Sequence, residues 1–105
     1  MNLKDGSTIV ANLTTIGRKT SQPRTVELRF LYFKGNFYAT SSQVAGKHWC
    51  QNMLKHPAVE ITAKGETIAC SATQVIDEII RKQVLTLRDS PLQLNRVVFE
   101  IAPKN

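Results

Sequence analysis

Short β-prone stretches separated by glycine-marked breaks run along almost the whole chain, and they leave few architectures open. Ser7 to Thr15 alternates Ile9, Ala11 and Leu13 with polar residues, the period of a half-buried strand. Gly17 ends it, and Gly17 to Pro23 (GRKTSQP) is rich in loop formers. Arg24 to Lys34 is the longest β-prone stretch. Val26, Leu28 and Phe30 alternate with Thr25, Glu27 and Arg29, whereas Leu31-Tyr32-Phe33 is apolar on both faces. Such a strand needs cover on one side at its start and on both sides at its end. In so small a domain, another subunit could supply the second cover. Gly35-Asn36 is a tight turn that returns the chain as Phe37 to Ser42, which makes a hairpin.

After a loop from Ser41 to Gly46, Lys47 to Lys55 reads as a short helix ended by His56-Pro57, with Trp49, Met53 and Asn52 sharing a face. Val59 to Ala63 and Glu66 to Val75 form a hairpin around Lys64-Gly65. Asp77 to Arg88 is an amphipathic helix with Ile79, Ile80, Val84 and Leu87 spaced for one side. A break at Ser90-Pro91 precedes a last strand, Arg96 to Ile101. Six short strands joined mainly by hairpins predict a mainly β (α+β) domain, an antiparallel barrel with one short and one longer helix. No strand–helix–strand regularity or glycine fingerprint points to a Rossmann domain.

The chain has 105 residues, 42% of them hydrophobic and 21% charged, which fits a single domain over 1–105 and not a disordered or coiled-coil chain. A domain of this size buries on the order of 65% of its unfolded surface, enough for a core without staples. No apolar run approaches the roughly 20 residues of a membrane span, and the start of the chain lacks the apolar stretch of a secretory signal. Cys50 and Cys70 stand 20 positions apart without a second pair. That argues against a disulfide framework or a four-ligand zinc site and fits a reducing cytoplasm.

Charge is distributed unevenly. The formal net charge is +6. Between Gly17 and Lys55, Arg18, Lys19, Arg24, Arg29, Lys34, Lys47 and Lys55 are opposed only by Glu27, and elsewhere the two signs cancel. Such a field concentrates anions. The loop GRKTSQPR suits phosphate: Arg18 and Arg24 supply planar forks of donors, Lys19 a compact charge, and Thr20 and Ser21 hydroxyls. A second donor-rich segment, Thr40-Ser41-Ser42 to Gly46-Lys47, opens the short helix, whose first N–H groups also favour anions.

Groups able to do chemistry themselves are scarce. His48 and His56 have no Cys or carboxylate at metal-ligand spacing and read as surface or helix-cap residues. Cys50 and His48 point to different helix faces, and Cys70 reads as core. No carboxylate pair or nucleophile elbow is present. No catalytic residue and no metal ligand are therefore assigned, and any difficult chemistry would come from a cofactor.

Leu13 to Val26 (LTTIGRKTSQPRTV) resembles the signature LTTTGRKSGQPRTVPL of the deazaflavin-dependent nitroreductase, or quinone reductase, family. Trp49, Asn52, Leu54 and Pro57 resemble that family's W-x-x-N-L-x-x-x-P helix. The family is one of the split β-barrel superfamily, with flavin-mononucleotide enzymes such as pyridoxamine phosphate oxidase. The resemblance implies a six-stranded split barrel, a cytoplasmic homodimer with the cofactor at the subunit boundary, and coenzyme F(420), an 8-hydroxy-5-deazaflavin, as cofactor. On this reading Arg18, Lys19, Thr20 and Arg24 hold its phosphate and glutamyl tail. Ser41, Ser42 and Lys47 line it, and Trp49 and Asn52 shape the pocket beneath. The segment from Ser41 to Trp49 is shorter than the family's SKGGAPKHPAW loop and also resembles the flavin-mononucleotide (FMN) branch, so FMN stands as the alternative cofactor.

The function so implied is hydride transfer from the reduced ring to a small electron-poor acceptor, a quinone or a nitro compound. A carrier or sensor that binds the cofactor without turnover is the alternative, favoured by a C-terminal segment without tyrosines. A nucleic-acid module would use the same charge, but Phe30, Tyr32 and Phe33 look like core and leave few aromatics to stack on bases.

Overall fold

A computed structural model describes residues 3–88 and 96–104; the break at Ser90-Pro91 lies outside them. The elements are β1 (Ser7–Ile16), β2 (Pro23–Phe33), β3 (Asn36–Ser41), α1 (His48–Lys55), β4 (Ala58–Ala63), β5 (Glu66–Gln74), α2 (Glu78–Arg88) and β6 (Val97–Pro103). The strands close into a barrel in the order β1-β2-β3-β6-β5-β4, with every neighbouring pair antiparallel. This is the six-stranded antiparallel barrel with two helices that the strand pattern predicts.

Two hairpins share one turn chemistry. Phe33 pairs with Asn36 and Ala63 with Glu66, so each loop is a Lys-Gly dipeptide. All four loop residues have positive φ: 52° and 82° at Lys34 and Gly35, 52° and 77° at Lys64 and Gly65. That is the turn whose twist matches the flanking strands. The first turn is thus Lys34-Gly35, one residue earlier than the Gly35-Asn36 expected, and Asn36 opens β3.

Inward-facing Leu13, Phe30, Phe37, Ile61, Phe99 and Ile101 fill the barrel, with Cys50 and Met53 of α1 packed onto one end. A second cluster of Leu31, Tyr38, Val84, Leu85 and Val98 lies on the outer face of β2, β3 and β6. Here α2 of the same chain supplies the second cover that the Leu31-Tyr32-Phe33 run calls for. It does so with a stripe that keeps Val84 of the four residues expected and replaces Ile79, Ile80 and Leu87 by Leu85. Val84 and Leu85 are fully buried, while Ile79 is 80% and Leu87 46% exposed.

The reason lies in two arginines. Residues 81, 84, 85 and 88 share one face at helical spacing. Arg81 Nη1 donates to the Arg96 carbonyl at 2.8 Å. Arg88 Nη2 donates to the Arg29 carbonyl at 3.2 Å, while Arg29 Nη2 donates to the Arg88 carbonyl at 2.9 Å. Counting apolar residues alone misses a face flanked by cations that bind backbone carbonyls. Asp77 caps this helix, its Oδ1 accepting from Ile79 N–H at 2.9 Å and Ile80 N–H at 3.2 Å. Leu85→Ala is accordingly expected to cost about 2–5 kcal/mol and Ile79→Ala less than about 0.5 kcal/mol, read by urea denaturation. Equal costs would mean the helix packs by its other face.

Among the described residues, no helix is long and apolar enough to cross a membrane.

Candidate functional site

The β1–β2 hairpin carries the basic loop to the end of the barrel where α1 packs. Ile16 pairs with Pro23, so the connection is Gly17 to Gln22. It is closed from within: Gly17 N–H donates to the Gln22 carbonyl at 2.8 Å and Ser21 N–H to the Gly17 carbonyl at 2.9 Å. Gly17 is the residue the geometry requires there. A Cβ at that position would lie 2.7 Å from Thr20 Oγ1 and 3.2 Å from the Gln22 carbonyl oxygen.

Between this loop, the adjoining strand ends and the start of α1 lies an open cavity of about 720 Å³. Of the nine residues singled out from the sequence, it brings together Arg18, Lys19, Thr20, Arg24, Lys47, Trp49 and Asn52. Ser41 and Ser42 are not among its lining residues. Ser41 is 3% exposed and its hydroxyl donates to the Gln43 carbonyl at 2.6 Å, closing its own loop, while Ser42 faces solvent.

The cavity wall is electrostatically one-sided. Four cations line it and no carboxylate does. Lys19, Arg24 and Lys47 are exposed, and their side chains make no hydrogen bond or ion pair with a described residue. Lys47 also stands at the N-cap of α1 without a capping bond from its side chain. Of the other cations in the basic segment, Lys55 bonds the Arg18 carbonyl from α1, Arg29 faces α2, and Lys34 lies over the Phe33 ring. The floor is apolar. Trp49 is half-buried, its ring centroid 6.2 Å from that of Phe99 in the barrel core, and Val26 also lines the cavity.

Arg18 is held differently from its neighbours. Asn52 Oδ1 accepts from Arg18 N–H at 3.2 Å and from Arg18 Nη1 at 3.1 Å, and Asn52 Nδ2 donates to Thr15 Oγ1 at 3.1 Å. His48, read as a surface or cap residue, also lines the cavity, with Nδ1 3.4 Å from Arg18 Nη1. The signal that locates it is its spacing to Asn52 and Lys55, a polar i, i+4, i+7 stripe on one helix face.

The site contains no activated nucleophile. Burial pushes the Cys70 thiol up to about 11 and raises that of Cys50 above its ordinary value despite the Ser41 hydroxyl and Lys47 nearby. Both thiols therefore stay protonated at neutral pH. Among the described residues, no three His, Cys, Asp or Glu side chains are grouped to hold a metal ion. What the arrangement can do is bind a planar, partly apolar anion, since the Trp49 indole beside exposed cations fits such a ligand and the volume suits one.

Residues 3–90 match the family model for F(420)H(2)-dependent quinone reductase. The chain belongs to that family. Solved structures bear out its fold. A protein described as an F(420) reductase superposes with a TM-score of 0.65 at 13% identity, over 91% of this chain and 86% of the other. A FAD-binding protein from Mesorhizobium loti gives 0.68 at 18% identity, over 91% and 81%. A heme storage protein from Vibrio cholerae gives 0.69 at 18% identity, over 91% and 82%. At such identities these likenesses speak for the barrel, which different proteins furnish for different ligands. The family membership rests on the sequence match, which includes the whole GRKTSQPR loop and α1.

Proposed function

We propose that this chain is a reductase that holds coenzyme F(420) in the cavity between the Gly17–Gln22 loop and α1. The observation that carries the reading is a cavity rimmed by Lys19, Arg24 and Lys47, none neutralised by a described residue. Free cations around an open cavity fit the phosphate and glutamyl tail of that cofactor, and Trp49 offers an apolar surface for its ring. When bound and reduced, the cofactor supplies a hydride that an electron-poor acceptor, a quinone or nitro compound, takes up with a proton from water.

The residues themselves bind and orient. Arg18, Lys19 and Arg24 hold the anionic end, Lys47 adds charge at the start of α1, and Trp49 and Asn52 form the base. FMN, with one phosphate and a comparable ring, is the alternative occupant of the same donors. The homodimer, with the cofactor at the subunit boundary, belongs to this reading, and so does a reducing cytoplasm, in which the two thiols stay free.

Titration with F(420) and, separately, with FMN tests the proposal. A saturable change in ring absorbance is expected with F(420). No change with either compound would overturn it. Anaerobic addition of a quinone to the reduced complex then separates a reductase from a carrier, because only the former returns the ring spectrum to its oxidised form on the timescale of mixing.

A further inference from the structure

We infer that Asn52 is a positioning residue that presents the Arg18 guanidinium to an anion in the cavity. The inference rests on the proposed reading of that cavity as an anion site. α1 meets the basic loop with a polar stripe, His48, Asn52 and Lys55, and all three side chains engage the same residue. His48 Nδ1 lies 3.4 Å from Arg18 Nη1, Asn52 Oδ1 accepts from both the Arg18 backbone N–H and Nη1, and Lys55 Nζ donates to the Arg18 carbonyl at 3.3 Å.

Asn52 is the buried centre of this stripe, 3% exposed, and its partner Thr15 is 1% exposed. Arginine has donors only, so the amide oxygen must face Arg18 and the amide nitrogen must face Thr15 Oγ1, which fixes the orientation of Asn52. A buried amide is costly unless hydrogen-bonded, and here each end has its partner. Arg18 is therefore ordered before any ligand arrives, and less side-chain freedom is lost when it binds one. Lys19, Arg24 and Lys47, without such partners, are ordered only by the ligand. Among the four cations, Arg18 sets where the anion sits and the others add attraction.

The test uses inorganic pyrophosphate as probe, so that it reads anion binding without a ring and is decided separately from the spectral titration. In the unliganded full chain, the Arg18 amide is expected to be protected from hydrogen exchange. An Arg18 amide that exchanges freely in the wild type overturns the proposal without recourse to any variant. Asn52→Ser removes the amide that spans Thr15 and Arg18 and leaves a shorter hydroxyl, set back from the guanidinium that Oδ1 meets at 3.1 Å. By calorimetry it is expected to weaken pyrophosphate binding roughly tenfold, as is Arg18→Met, from the loss of one charge-assisted contact. Because Asn52 acts through Arg18, the double variant should bind no more weakly than Arg18→Met alone. Losses that multiply, an Asn52→Ser variant that binds like the wild type, or no pyrophosphate binding by the wild type would each overturn it.

Discussion

Replacing Arg18 and Lys19 together by alanine is expected to raise the Kd for F(420) by about two orders of magnitude or more, since hydrogen bonds to charged groups contribute roughly 1.5–3 kcal/mol each. The lower end is the better guide for Lys19, which is exposed and acts through water and counterions. The remaining affinity of the double variant should depend less on salt, because fewer cations meet the anionic tail. The two residues separate in their effect on folding. Lys19→Ala removes a side chain without a described partner and should leave Tm unchanged. Arg18→Ala leaves the buried Asn52 oxygen with only the Arg18 backbone N–H and should cost about 1 kcal/mol of stability. Spectral titration at two salt concentrations, with thermal melts of each variant, measures all of this. Unchanged affinity in the double variant would remove the loop from the binding site.

How much of this was legible beforehand differs between levels of structure. The strands could be read because Ile9, Ala11 and Leu13, or Val26, Leu28 and Phe30, alternate with polar residues, and alternation depends on near neighbours only. The pairings that close the barrel, such as Leu13 with Ile61 or Phe37 with Ile101, join residues far apart in the chain and leave no local trace. The basic loop was legible for the same local reason as the strands. A hairpin brings Thr15 opposite Arg24, so residues close in sequence are close in space.

The rest of the site depended on what α1 faces. Ser41 and Ser42 look like ligand donors in sequence, yet Ser41 points into its own loop, because a short polar side chain at a strand end readily bonds the backbone nearby. His48 reads correctly as a surface residue at the helix start, but its place beside the basic loop has no local signal, because Arg18 stands 30 positions earlier. On α2, Ile79 and Leu87 carry the apolar signal, but the barrel takes the face between Arg81 and Arg88, whose donors answer backbone carbonyls at both ends of Val84-Leu85. Periodicity marks that a helix has an apolar side; competition from hydrogen-bonding groups decides which side is buried.

Phe99→Ala is expected to lower stability by about 3–5 kcal/mol, a large share of the roughly 5–15 kcal/mol that holds such a domain folded. Phe99 is 1% exposed on β6, paired with Ala39 of β3 and Gln74 of β5, and its ring packs against that of Trp49 of α1. Removing the ring opens a cavity in the barrel and takes away what Trp49 rests on. Phe99→Leu restores most of the volume and should cost less than half as much. Trp49 is the chain's only tryptophan, so its emission reports the change directly: a red shift is expected in folded Phe99→Ala as water reaches the indole. The functional consequence separates floor from rim. The cavity's cations stand on the β1–β2 connection, on β2 and at the start of α1 rather than on β6, so F(420) should bind more weakly to the folded variant while the dependence of its affinity on salt stays that of the wild type. A change in that dependence would mean that the core sets the position of the cations too, and that floor and rim are one cooperative unit rather than two.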